Sequence, residues 1–273
     1  MRVRNQRITA TLLVAFFGLV TVLTVAGFAR TWRPAVATEH GQGVDDVIDY
    51  LLWTTGAILV AGHAALIAFV WRYSRPGDVA EPAVSPRAEW SWALAPALTM
   101  AVVSEVGVLF LGLPVFGKMY GPAPEGALEL EIVGKQFEWI VRYPGKDGEF
   151  GRAVPEKVND ARNPLGLDKK DAAARDDVVL RGTMHLPLGR AVSLRIRSQD
   201  VLHSFSVAAF RVKQDAVPGY PTHVQFVPTV AGKYEIACAE LCGLGHYRMR
   251  GFAIVEETAA FDAWIAGQLG WFE

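Results

Sequence analysis

Cysteine is scarce in this 273-residue sequence: there are two, Cys238 and Cys242. No Cys-x-x-Cys-His occurs, so no c-type haem is attached to the chain. Neither sign of charge is in excess. Lys and Arg number 27 against 28 Asp and Glu, a net charge of -1, which leaves no electrostatic footprint for nucleic acid. Long apolar runs are missing from the second half. Hydrophobic residues make up 51% of the chain, but the long runs crowd into the part before about residue 120. The remainder reads as a soluble domain.

What is present is concentrated. Both cysteines fall in Cys238-Ala-Glu-Leu-Cys-Gly-Leu-Gly-His-Tyr-Arg-Met249. His246 follows Cys242 by four residues, and Met249 follows His246 by three. Thiolate, imidazole and thioether are the donors that suit copper. So short a loop does not set four donors around one ion without strain, but it sets two thiolates side by side as bridges between two ions. That arrangement needs a second imidazole, and Asp200-Val-Leu-His203-Ser204 offers one. A disulfide between the two cysteines is the plain alternative outside the cytoplasm. A mononuclear blue-copper site needs only one Cys, and a zinc site has little use for Met.

The loop resembles the binuclear copper A loop of cytochrome c oxidase subunit II, whose pattern is Cys-x-Glu-x-Cys-x3-His-x2-Met with an upstream Asp-Val-x-His-Ser. Every ligand position is filled here. The resemblance implies bridging thiolates at Cys238 and Cys242, terminal imidazoles at His203 and His246, and a weak axial thioether at Met249. Glu240 resembles the residue whose backbone carbonyl is the other axial ligand and whose carboxylate reaches a magnesium ion shared with subunit I. Asp200 is a candidate to orient His203. The family's Gly-His-Gln-Trp-Tyr-Trp is here Gly134-Lys135-Gln136-Phe137-Glu138-Trp139. Phe137 therefore stands where electrons usually enter from cytochrome c, with Trp139 close behind it in sequence. Phe205 likewise replaces the usual Trp after the first His ligand.

Three apolar runs, Ile8–Ala29, Tyr50–Trp71 and Trp90–Leu113, are each long enough to cross a hydrocarbon core of about 30 Å at about 1.5 Å per residue. Arg2, Arg4 and Arg7 before the first, and Arg72, Arg75 and Arg87 between the other two, put those ends in the cytoplasm and everything after Pro114 outside. Arg30 and Arg33 fit that orientation less well. The first run reads either as an extra helix or as a signal peptide cleaved at Ala35-Val36-Ala37. Its length, and the two Arg between it and that site, favour a retained helix. Glu89, with Trp92 and Pro96, keeps the spacing the family uses at the entrance of a proton channel into subunit I. An ordinary interfacial carboxylate is the alternative. Glu105 lies inside the third run, where it is expected to face a partner subunit. His63 reads as a packed or hydrogen-bonded helix residue.

From Ala127 the pattern alternates. Leu128–Val133, its continuation to Tyr143, Val192–Arg197, His223–Pro228, Gly232–Cys238 and Phe252–Val255 read as strands. Short strands with turn signals suggest a sandwich. Between Pro144 and Gly182 lies a polar insertion of mixed charge, read as a loop excursion with a solvated face. Thr258–Leu269 carries apolar residues at helical spacing. The fold expected is N-terminal transmembrane helices followed by an all-β, cupredoxin-like Greek-key sandwich. The expected divisions are 1–45 (extra helix or signal peptide, and outer loop), 46–116 (helix hairpin), 117–257 (periplasmic domain, insertion 144–182) and 258–273 (C-terminal helix).

The resemblance implies the copper-bearing subunit of a bacterial inner-membrane cytochrome c oxidase, a multi-pass protein. Two coppers accept electrons from a c-type cytochrome and pass them to haem in subunit I. Oxygen reduction and proton pumping occur there, so no residue of this chain is catalytic. Subunits I and III, membrane lipid, a magnesium ion at the subunit I interface and a respiratory supercomplex are the further associations implied. A membrane-anchored copper-binding electron-transfer or assembly protein is the rival. Nitrous-oxide reductase has Trp where Glu240 stands and needs a His-rich cluster domain, and a quinol oxidase subunit lacks the ligands.

Overall fold

The computed structural model describes residues 2–29, 33–74 and 84–272, with side chains from residue 7 onward. Arg30 and Arg75, and the side chains of Arg2 and Arg4, used above for orientation, lie outside the described residues. The chain divides into two compact units: residues up to 32 with 45–114, and residues 33–44 with 115 onward.

Among the described residues, three helices are long and apolar enough to cross a membrane. Helix α1 spans Arg2–Phe28 and α2 Gly41–Tyr73, so α2 begins nine residues before the apolar run that announced it. Helix α3, Pro86–Gly107, starts where the Ser85 hydroxyl accepts the Ala88 N–H at 3.3 Å, with Pro86 at the first position, where its missing donor costs nothing. The sequence suggested an end near Pro114, yet the helix continues. A single π turn, Val108–Gly112, intervenes, the Leu113 N–H reaching back to Val108 O, and α4 then runs from Leu113 to Tyr120. The wide turn shifts the carbonyls a proline would otherwise crowd. Tyr50 donates to Val103 O at 2.7 Å, linking α2 to α3. His63 Nδ1 lies 2.9 Å from Leu59 O within its own helix. Glu89 and Glu105 are both exposed on this chain.

The second unit is a sandwich of two five-stranded sheets. One runs β3 (Val178–Arg181), β2 (Glu138–Tyr143), β1 (Leu128–Lys135), β5 (Val192–Ser198), β8 (Thr222–Phe226). The other runs β4 (Thr183–Pro187), β10 (Arg250–Glu256), β9 (Gly232–Cys238), β6 (His203–Val207), β7 (Val212–Ala216). All pairs are antiparallel except β1 with β5 and β4 with β10. The period-2 residues of facing strands fill the space between the sheets: Leu130, Ile132, Leu194 and Ile196 from one, Phe205, Val207, Ile236 and Ala253 from the other, all buried. Each large side chain there contributes roughly 1.5–3 kcal/mol. Helix α5 (Thr258–Ala266) closes one side, with Phe261 buried and Trp264 stacked on His185 at 4.1 Å. It stops three residues short of the expected Leu269.

Residues 33–44 pack with this sandwich. Ala37 is 2% exposed, gives its N–H to Ala209 O at 2.8 Å and receives the Thr229 N–H at 2.9 Å. The polar insertion is largely exposed, as its composition suggests, but part of it is buried. Leu165, Leu167 and Ala174 lie with Val133 and Ile140 in a second small core on the outer face of β1 and β2. Beside it Arg142 reaches Glu131 at 3.2 Å and Asp177 at 2.5 Å, all three buried, and Arg197 joins Glu131 at 2.9 Å. The charges taken as a wet surface are thus in part a buried network, because Arg142 on β2 needs the insertion's carboxylate. The last four insertion residues before Gly182 are strand β3 itself.

Candidate metal centre

One end of the sandwich gathers the donors. His203 opens β6 and Cys238 closes the neighbouring β9, where Phe205 pairs with Cys238. The chain then leaves the sheet and returns into β10. Its base is pinched by the Cys238 N–H donating to Met249 O at 3.3 Å. A 3-10 turn, His246–Arg248, carries the second imidazole inward.

The sulfurs of Cys238 and Cys242 stand 3.9 Å apart as free thiols. His203 Nδ1 is 3.9 Å from Cys238 Sγ, and His246 Nδ1 is 3.7 Å from Cys242 Sγ. Met249 Sδ lies 3.7 Å from Cys242 Sγ, and the Glu240 carbonyl 3.2 Å from Cys238 Sγ. The ligand atoms of His203, Cys238 and Cys242 all fall within 4.8 Å of one another. All six residues named from the sequence meet here.

The surroundings orient these donors. Asp200 Oδ1 lies 2.8 Å from His203 Nε2; its carboxylate also accepts the N–H of Gln136 at 2.8 Å and of Val201 at 2.7 Å. Burial works against the charge, but those hydrogen bonds and the ring hold the Asp200 carboxyl below its usual range. With Nε2–H given to Asp200, the Nδ1 lone pair of His203 faces the thiols. Burial first, and then the neighbouring Cys238, push the Cys242 thiol up to about 11. His203 is fully buried, Met249 and Cys242 nearly so. Trp139 is also fully buried, its ring 6.0 Å from that of His203 and 5.7 Å from that of Phe205. It supports the imidazole from behind rather than meeting a partner at the surface.

Sequence reasoning passed over Gln136. Its side chain donates to Cys242 O at 2.5 Å, tying the first hairpin to the thiol loop. Phe137 is half-buried against the same loop. A Cβ on Gly245 would lie 2.4 Å from the Phe137 ring, and one on Gly243, whose φ is 137°, would meet Gln136 Nε2 at 2.8 Å. The two glycines in the loop were the available signal. Glu89 and Glu105 sit on α3, apart in sequence from this cluster.

An "Alternative cytochrome c oxidase subunit 2" of Bradyrhizobium diazoefficiens is 36% identical over 247 residues, 88% of this chain and 85% of the relative. The chain belongs to the cytochrome c oxidase subunit II family. Its periplasmic-domain model matches residues 128–257, the sandwich from β1 to just past β10. A cytochrome c oxidase subunit 2 of Thermostichus vulcanus is 29% identical over 289 residues, covering 95% of this chain and 86% of the relative. Among solved structures, the periplasmic domain of subunit II of cytochrome oxidase from Bradyrhizobium japonicum is 28% identical, covers 53% of this chain and 95% of that one, and has a TM-score of 0.39. The ten-stranded domain is the cupredoxin-like sandwich of subunit II. The family is copper-binding, and the His203, Cys238 and Cys242 cluster is a set of donors that could hold such an ion.

Proposed function

We propose that this subunit II holds a binuclear copper centre through Cys238, Cys242, His203, His246, Met249 and the carbonyl of Glu240, and is the point where electrons enter a membrane oxidase. The carrying observation is the pair of thiols 3.9 Å apart, each flanked by one imidazole nitrogen. That separation is less than twice a metal–thiolate bond of about 2.3 Å. Cys238 and Cys242 would therefore both be within reach of the same ion, with His203 and His246 as the flanking nitrogen donors. Copper so bound supplies a one-electron couple shared over two metals and two sulfurs, with small changes in bond length on reduction.

The chain's own residues do the rest. Asp200 fixes the tautomer and tilt of His203. Trp139, Phe205 and Met249 exclude water from one side. All donor positions are protein-filled, so the centre passes electrons and binds no oxygen. The electrons come from a c-type cytochrome at the loop end, near Phe137, and go to haem in subunit I, where oxygen is reduced and protons are pumped. The carboxylate of Glu240 holds a magnesium ion at the interface with subunit I, and Glu89 stands at the mouth of a proton channel. Subunits I and III, with membrane lipid, cover the apolar faces of the three helices. These cross the inner membrane as a multi-pass anchor, in a supercomplex with the donor, and leave residues 117–257 in the periplasm.

The test is copper content and electron paramagnetic resonance of the full chain in detergent. Two coppers per chain with one spin shared over both nuclei supports the reading. A single copper, or none, overturns it.

A further inference from the structure

The insertion 144–182 ends far from the thiols in sequence, yet its tip grips the hairpin that touches them. Lys135, mostly shielded at the end of β1, pairs with the Asp160 carboxylate. Arg181, the last residue of β3, reaches the Asp160 carbonyl with one nitrogen and Glu138 at 2.7 Å with another. Gln199, next to Asp200, donates to Pro164 O at 2.6 Å. Lys135 and Glu138 are two of the positions at which the hairpin departs from the family's aromatic stretch, and both find their partner through residue 160 or Arg181. Between them lie Gln136 and Phe137, whose side chains meet Cys242 O, Gly243 and Gly245.

We propose that the insertion is a brace for the thiol loop. Asp160 anchors the tip of the β1–β2 hairpin, and Gln136 and Phe137 transmit that anchoring to residues 242–245. Asp160 and Gln136 are positioning residues: neither supplies a ligand, and both set where Cys242 Sγ stands relative to Cys238 and His246. The same tip, through Pro164 and Gln199, steadies the segment that presents Asp200 to His203. The centre is thereby held from both sides by one loop of the insertion. This inference rests on the reading of the loop as a metal centre, and it makes a prediction that needs no metal.

The experiment uses the full chain in detergent, first metal-free and then copper-loaded. Alkylation of Cys242 by iodoacetamide, followed by mass spectrometry, reads how well the loop is held. Asp160→Ala and Gln136→Ala should each speed that reaction about two- to fivefold, the factor an exposed ion pair or single hydrogen bond is worth. The thermal midpoint should stay unchanged, since Asp160 and Gln136 are exposed. Asp160→Glu, which keeps the charge, should restore the wild-type rate, and Asp147→Ala, elsewhere in the insertion, should leave it unaltered. After copper loading, the same two variants should bind the full complement of metal with altered copper hyperfine splitting. Wild-type alkylation rates and splitting in both alanine variants overturn the brace, as does an equal rise in Asp147→Ala. A wild-type chain that takes up fewer than two coppers refutes the metal-centre reading instead, and the alkylation rates still decide the brace.

Discussion

Asp200 and His203 form a closed pair: the carboxylate takes the ring's Nε2–H at 2.8 Å while Nδ1 faces the Cys238 thiol. Three residues of separation, with a backbone turn between them, place the two groups edge to edge. Removing the charge without the shape isolates its contribution. Asp200→Asn is expected to weaken copper binding about 10- to 100-fold, as loss of such a ligand-orienting partner does. Chelator competition on the full chain measures it, and wild-type affinity would remove Asp200 from the centre.

The sulfur donors should separate by role. Cys242→Ser is expected to abolish the spectrum of a shared spin, because one bridge is gone. Met249→Leu should keep both coppers and shift the reduction potential, since a long thioether bond tunes rather than holds. Loss of both metals in Met249→Leu, or a preserved spectrum in Cys242→Ser, would reverse these assignments. In the metal-free chain both thiols should titrate with a disulfide-exchange reagent, because 3.9 Å is well beyond the roughly 2.0 Å of a disulfide.

Glu131, held by Arg142 and Arg197, sets an acid limit, which the Asp177 carboxyl, pushed up chiefly by burial, partly opposes. Burial opposes ionisation of Glu131, but Arg197 and Arg142 outweigh it and hold its carboxyl below the usual glutamate range. A carboxyl depressed in the folded state stabilises above its unfolded pKa, and that contribution is lost as pH falls through the folded value. The Glu131 contribution to stability should therefore be lost as pH falls below about 4.3, the unperturbed glutamate value. Glu131→Gln should lower stability at neutral pH by roughly 3–5 kcal/mol, since Arg142 and Arg197 lose a buried partner, and should flatten the acid decline. Denaturant unfolding at several pH values follows both.

The first apolar segment should survive processing. Cleavage after Ala37 would strip out a residue that is 2% exposed and shares two backbone hydrogen bonds with the sandwich. Intact mass and N-terminal sequencing of the membrane-extracted chain are expected to find residues before Ala35. A chain beginning at Thr38 would contradict this.

Much of the centre was legible because its chemistry is local in sequence. Five of the six residues that gather there lie within twelve residues of one another, and the sixth, His203, follows Asp200 by three. The sandwich was legible from strict alternation, as in Leu128–Val133, and the membrane-length helices from unbroken apolar runs. What was not legible depended on distant partners. Asp177 looks like surface until Arg142, 35 residues earlier, is placed against it. Gln136 looks like any polar turn residue until Cys242, 106 residues on, comes within 2.5 Å. Strands β6 and β7 are short and polar on one face, so their pairing rather than their pattern defines them. Pro114 reads as a helix end unless the π turn before it is known.

The pairing of β4 with β10 has a further consequence. Residue 183 finds its neighbour only at residue 252, and β1 likewise waits for β5. Such distant pairings fold slowly. During synthesis both sulfurs emerge before the strand that closes over them, so the chain passes through an interval with two bare thiols and an open sheet.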